Sequence, residues 1–386
     1  MAAHFIEGDR FVAALAQMSW QDLEQDGPLA WRSASDAPVP RRLARVDDTL
    51  KADVAWPLAC EGTALVWQGD FQNARQLLAA MGRRAERKRK APRTDLSAAE
   101  RFHLHRQAQA QRARTLGMLL VPLDEQYRIP LRRAPEVAEA CRAAWGETGG
   151  SSLVSLRELL GVIGAHQWWL KGVEVAALGG RIHPAYGVFS PLRGEYVDLV
   201  AQTPLPSSER AFDIGTGSGV LAAVLARRGV AQVVATDQSE RALVCAADNL
   251  ARLGLSERVE LTACDLFPEG RAPLVVCNPP WVPARPTSAV EAAVYDPDSR
   301  MLRGFLAGLA AHLTADGEGW LVLSDLAEHL GLRSRVQLLE WIAAGGLTVV
   351  ERIDTRPRHG KAQDADDPLH AARAAEITSL WRLRAA

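Results

Sequence analysis

From residue 210 to the C-terminus, short apolar runs alternate with amphipathic stretches at regular intervals. The runs at 211–214, 232–236, 259–263, 273–277 and 319–323 are too short for helices, and turn residues bound most of them. That pattern predicts strands buried on both faces. Residues 219–228, 240–253, 301–313 and 335–344 lie between or after them with helical periodicity. Two further strand runs, 347–352 and 377–383, close the chain with no long helical stretch between them. Alternating strands and helices predict an α/β fold with a seven-stranded, mostly parallel sheet covered on both faces. The last two strands predict an antiparallel terminal hairpin.

Residues 1–180 read differently. Apolar runs rich in Ala and Leu are interrupted by Pro-containing segments such as 36–40. Ser97-Ala98-Ala99-Glu100 spells a capping box, and the Pro-free stretch to about residue 118 predicts a helix. Helices are also predicted at 135–145, with Pro135 in the first turn, and at 153–170. A small hairpin is expected from 173–178 and 182–189 around Gly179-Gly180. The expectation is a mainly helical N-terminal domain, residues 1–180, serving substrate recognition, and a second domain over 181–386.

Composition narrows the class. A chain of 386 residues, 48% hydrophobic and 24% charged, suits two globular domains. The formal net charge of -1 does not indicate a generally basic nucleic-acid binder. No apolar stretch reaches the ~18 residues of a membrane span. The first ten residues, MAAHFIEGDR, include early acids and no apolar block, which argues against a secretory signal. The five cysteines are scattered with no CxxC pair, so neither a disulfide framework nor a metal site is expected. A cytoplasmic location follows as the simplest expectation.

Chemistry concentrates at the ends of the predicted strands. The first ends in Asp213-Ile214-Gly215-Thr216-Gly217-Ser218-Gly219. A glycine-rich turn between strand and helix lets a ligand approach the backbone, and the helix start offers free N–H groups. The second strand ends at Asp237, 24 residues after Asp213, followed by Gln238. A carboxylate there offers two oxygens to two ribose hydroxyls. The third ends at Asp265-Leu266, where an acid can accept from an adenine amino group. Each aspartate taken singly also suits a turn or a helix cap. Three at successive strand ends line one crevice. A nicotinamide dehydrogenase would show G-x-G-x-x-G; here the third glycine comes one position earlier.

The fourth strand runs into Asn278-Pro279-Pro280-Trp281. Two prolines stop the strand and stiffen the turn. The Asn278 side-chain oxygen and the Pro279 carbonyl are both acceptors, suited to the two hydrogens of a planar –NH2 group. Trp281 can stack on that group. Held this way, the nitrogen faces a neighbouring electrophile, and the gain comes from positioning.

These motifs together resemble the class I S-adenosylmethionine-dependent methyltransferases, from about residue 184 onward. Among them the chain is similar to the small-domain N-methyltransferases that include the release-factor glutamine methyltransferases. The matches are residues 213–219 for the glycine loop, Asp237 for the ribose acid, Asp265 for the adenine side and 278–281 for the N-P-P-aromatic motif. The segment Ser190-Pro191-Leu192-Arg193-Gly194-Glu195 partly matches the family's proline- and glutamate-containing stretch before the loop. Where the family usually has Tyr, this chain has Trp281. The resemblance implies a Rossmann-like methyltransferase sheet and S-adenosyl-L-methionine as cofactor. It implies Asp213, Gly215, Thr216, Gly217, Gly219, Asp237, Gln238, Asp265, Leu266 and Asn278 as the cofactor-binding set. Asn278, Pro279, Pro280 and Trp281 would act on the methyl acceptor. That acceptor can be a protein side-chain amide or a nucleic-acid base amine, and the chemistry fits both. A non-catalytic binding module on the same scaffold is the competing class.

Weaker signals stand beside these. Residues 83–114 hold eleven Lys/Arg and three Asp/Glu, a patch for phosphates or acidic protein, or a solvated helix face. Trp168-Trp169 suit stacking or core. His183, Tyr186 or Phe189 could roof the cofactor. Tyr295, Asp296 and Asp298 could form a lid. Arg356, Arg358, His359 and Lys361 would meet an anionic substrate if the sixth strand is parallel.

Overall fold

The computed structural model describes residues 17–18, 29–34, 37–87, 96–192, 194–286, 290–357 and 367–386. Residues 1–10, 88–90, Arg93, Arg193, Arg358, His359 and Lys361, all singled out in the sequence, lie outside the described residues. The chain divides into two units, Met1–Arg93 with Leu104–Gln167, and Thr94–His103 with Trp168–Ala386.

The first unit contains strands β1 (Gln17–Met18), β2 (Ala30–Arg32), β3 (Arg42–Val46), β4 (Thr63–Trp67), β5 (Leu119–Leu123) and β6 (Ser152–Ser155). They form one sheet in the order β1-β3-β4-β5-β6-β2, with β3, β4 and β5 parallel. Helices supply more of its residues than strands do, but a six-stranded sheet runs through what the sequence predicts as mainly helical. The reason is burial on both faces. In β4, Leu65 and Trp67 enter one apolar cluster while Ala64 and Val66 enter another. With both faces apolar the two-residue period vanishes, and a short run reads as easily as buried helix. The predicted helix at 153–170 is strand β6 followed at once by helix Leu156–Lys171. The helix expected from Pro135 begins at Ala138, with Val137 at its cap.

In the second unit the capping box forms as predicted. The Ser97 backbone N–H donates to Glu100 at 2.8 Å, and the Glu100 N–H donates back to Ser97 Oγ at 3.2 Å, ahead of helix Ala98–Leu116. The small hairpin is β7 (Val173–Val175) and β8 (Gly180–Ile182): a 3-10 turn, Ala176–Leu178, shortens the first strand, and the second, expected over 182–189, shares only Ile182 with β8, with Pro184 following soon after.

The main sheet contains β9 (Arg210–Ile214), β10 (Gln232–Asp237), β11 (Val259–Ala263), β12 (Ala272–Cys277), β13 (Leu313–Ser324), β14 (Leu347–Thr355) and β15 (Thr378–Ala385). Their order is β11-β10-β9-β12-β13-β15-β14. Strands β9 to β13 are parallel to one another, and β15 runs antiparallel to both β13 and β14. This is the expected Rossmann-like sheet with its terminal antiparallel pair. Alternate residues of β12 enter opposite layers: Leu274 and Val276 meet helix Val220–Arg227, and Val275 and Cys277 meet helix Arg300–His312. Helix Val220–Arg227 is apolar all round because it is buried all round. No helix among the described residues is long and apolar enough to cross a membrane.

The chain builds outward from β9 through β10 to β11, then returns to the other side of β9 with β12. The point between β9 and β12 is therefore a topological switch, where an open α/β sheet leaves a crevice at its carboxyl edge.

Candidate functional site

Cys277 pairs with Ile214 across β12 and β9, so the next residues, Asn278 and Gly215, leave the sheet side by side at the switch point. Gly215, Gly217 and Gly219 all have positive φ, at 73°, 56° and 80°, which a side chain would strain. Space separates their roles. A Cβ on Gly215 would strike Met301 Cε, and one on Gly219 would lie 3.1 Å from Ala246 Cβ. A Cβ on Gly217 would meet nothing within 4 Å. Gly217 is thus the residue whose backbone faces open space. The neighbouring Ser218 hydroxyl is buried with no hydrogen-bond partner among the described residues. An open backbone position beside an orphaned hydroxyl is what a polar ligand end would fill.

Asp213 and Thr216 use their side chains to hold this loop. Asp213 Oδ2 accepts from Thr216 Oγ1 at 2.6 Å and from the Ala222 N–H at 3.0 Å. Burial pushes the Asp213 carboxyl up to about 6, against those two hydrogen bonds, with nearby Asp237 adding to the rise. Asp237 Oδ2 accepts the Gly217 N–H at 3.0 Å, and Oδ1 accepts the Ser239 N–H at 2.9 Å. A carboxylate has about four lone-pair sites, so two stay open for a diol. Gln238 is exposed beside it.

Asp265 is about half exposed and ion-paired with Arg300, a partner nothing in the sequence suggested. Leu266 adopts φ 74°, and its carbonyl accepts from Thr236 Oγ1 at 2.6 Å. Arg300 and Met301 arrive together because Asp296 anchors the start of their helix. Its carboxylate accepts the N–H groups of Met301 and Leu302 at 3.0 to 3.2 Å. The same Asp296 donates its own N–H to the Val282 carbonyl at 2.9 Å, and Tyr295 bridges to Val282. The segment expected as a lid therefore ties the Asn278 turn to the glycine loop. Asp298 and Ser299 turn it through left-handed backbone, φ 57° and 53°.

At the turn itself the Trp281 indole N–H donates to Asn278 Oδ1 at 2.8 Å. The Trp281 ring is partly buried against three apolar clusters of this unit. A buried amide supports the loop from behind: Asn249 Oδ1 accepts the His183 N–H at 2.7 Å, and its Nδ2 donates to the Ser218 carbonyl at 3.0 Å. Sequence reading missed Asn249, although a mid-helix Asn inside an apolar stripe is a usable signal.

Residues 181–343 match the family model described as the methyltransferase small domain. Among curated proteins, the chain is 36% identical over 187 residues to the release factor glutamine methyltransferase of Gloeobacter violaceus, covering 47% of this chain and 62% of that one. It is 27% identical over 264 residues to that of Cereibacter sphaeroides, covering 64% and 88%. It is 38% identical over 135 residues to the ribosomal protein uL3 glutamine methyltransferase of Bordetella pertussis, covering 31% and 45%. The chain thus spans less than two thirds of the first relative's length.

The remaining candidates are placed as follows. Tyr186 lies under the Arg241 guanidinium, and Phe189 packs beside Tyr196 at 6.2 Å between ring centroids. His183 Nδ1 lies 2.6 Å from the Trp169 carbonyl. All three side chains are partly buried. Trp169 meets His183 edge-on and lies under the Arg252 guanidinium, while Trp168 is half-exposed. Strand β14 is parallel to β13, so Arg356 leaves the sheet at its carboxyl edge, but from the outermost strand, four places from β9. Of the basic stretch, Arg84 pairs with Asp53 and Arg112 pairs with Glu86. Among the described residues no group of three or more His, Cys, Asp or Glu is placed to hold a metal.

Proposed function

We propose that this chain transfers a methyl group from S-adenosylmethionine to the nitrogen of a primary carboxamide on a protein. One observation carries the reading: the Asn278 turn and the glycine loop emerge from adjacent parallel strands at the switch point. The backbone around Gly217 and Ser218 would take the methionine end, Asp237 the ribose hydroxyls, and Asp265 with Leu266 the adenine. When bound, S-adenosylmethionine supplies an electrophilic methyl carbon on a sulfonium.

Asn278 Oδ1 and the Pro279 carbonyl would each accept one N–H of the acceptor. Two fixed acceptors hold the planar group in one orientation and aim its nitrogen at the loop side. An amide nitrogen is a poor nucleophile, so orientation is the contribution these residues make. The proton shed by the nitrogen leaves along one of these hydrogen bonds; neither oxygen is basic enough to keep it, and it passes to water. The relatives named above are called glutamine methyltransferases of release factors and of uL3, and glutamine is such a carboxamide.

The test is direct. The protein is titrated with S-adenosylmethionine by calorimetry, then incubated with methyl-labelled cofactor and purified release factor, uL3 or total RNA. Label in a glutamine of either protein is the expected result. No binding at millimolar cofactor rejects the reading, and label confined to RNA rejects the protein acceptor.

Asp213 gives this binding a pH dependence. Its ligand-free carboxyl is raised from 3.8 to about 6. The folded chain thus holds that proton longer than the unfolded chain, and this group makes stability fall as pH rises from about 4 to about 6. A ligand bringing a cationic amino group to the loop favours the carboxylate. Below about pH 6 binding then releases a proton, and affinity falls up to about tenfold per pH unit. Calorimetry in buffers of different ionisation enthalpy reads the release directly. It should vanish above neutrality and in Asp213→Asn.

A further inference from the structure

We infer that Trp281 is a positioning residue whose indole N–H sets the orientation of the Asn278 amide. The inference rests on the methyl-transfer reading above. An indole nitrogen can only donate, so the Asn278 atom facing it at 2.8 Å must be the oxygen. That removes the usual ambiguity between the two ends of an amide side chain. It also keeps Nδ2, a donor that would repel an incoming –NH2, away from the position Oδ1 holds.

The need for such a lock follows from the turn. Pro279 and Pro280 have no N–H, so neither can pin the turn through a backbone donor. The bond from Trp281 to Asn278 closes the four-residue turn through side chains instead. Its anchor is firm, because the Trp281 ring is wedged against three apolar clusters, including Phe102, Val282 and Leu326 in one of them. Oδ1 has two lone pairs. The indole takes one and leaves the other for the acceptor nitrogen. In this arrangement the tryptophan acts through Asn278, which differs from stacking on the acceptor.

The two roles separate cleanly. Trp281→Phe keeps an aromatic face and loses the N–H. Replacing Trp281 with benzothienylalanine keeps the outline of the indole and swaps only the N–H for sulfur. If the lock operates, kcat for labelled methyl transfer to release factor falls between about ten- and a hundredfold in both variants. KM for the acceptor and Kd for S-adenosylmethionine stay within a few-fold. Wild-type kcat in the benzothienyl protein overturns the inference, since stacking alone would then suffice. If wild-type protein transfers no methyl group, the functional reading fails, and a second measurement still decides the lock. The Trp281 indole proton resonance should move upfield in Asn278→Leu; an unchanged resonance overturns the hydrogen bond itself.

Discussion

Asn278→Ala is expected to reduce methyl transfer about a thousandfold, roughly 4 kcal/mol of transition-state stabilisation, while cofactor affinity changes only a few-fold. The loss is large because alanine removes one of the two acceptors that orient the –NH2 group, and also frees the Trp281 indole from its partner. Cofactor affinity is spared because the loop has its own supports. Asp213 holds it through Thr216 and Ala222, and Asp237 through Gly217. Steady-state kinetics beside calorimetry checks both halves. A variant that loses cofactor binding and turnover together would place Asn278 in the cofactor site instead. A variant with normal turnover would remove the turn from the chemistry.

The second unit was largely legible in its sequence, and for a physical reason. Parallel strands buried on both faces appear as short apolar runs, and the crevice edge marks their ends with Gly and Asp. Residues 259–263 and 335–344 are read to the residue. Strand β13 starts at Leu313, six residues before the predicted start, because Ala315, Asp316 and Gly317 read as a turn. The first unit was less legible. Strand β3, Arg42–Val46, carries two arginines, and β6 enters its helix with no turn residue between. Neither offers a boundary that local pattern can find. At the site, the strand-end motifs were visible but their partners were not. Nothing in a linear reading links Arg300 to Asp265, Met301 to Gly215, or the Trp281 indole to Asn278. The first two pairings are set by how the helix at 300–312 docks, a tertiary fact, and the third by the exact geometry of the proline turn.

Glu318→Ala should produce the largest stability loss, about 3–5 kcal/mol by the usual cost of breaking a buried ion pair. Glu318 lies on β13 with its side chain only 1% exposed. Arg382 grips it from β15 through two bonds, Nε to Oε2 at 2.9 Å and Nη2 to Oε1 at 2.8 Å. Arg384 and the Trp320 indole add donors at 2.8 and 3.1 Å. Arg382 also reaches Glu351 on β14 at 2.6 Å, so one guanidinium links three strands. That remaining partner keeps Arg382 from being stranded, which favours the lower end of the range. Burial raises the Glu318 carboxyl, but the arginine and indole donors outweigh it and bring it from 4.5 down to about 2. A depressed carboxylate gives stability that is complete above about pH 4.5 and is lost as pH falls toward 2. Urea unfolding at pH 7 and pH 3 should therefore show a steep acid loss in the wild-type chain. Glu318→Gln keeps the shape, lacks the charge, and should flatten that dependence. A cost under about 1 kcal/mol for Glu318→Ala would mean that the β13–β15–β14 edge is held by backbone pairing and apolar packing without this network.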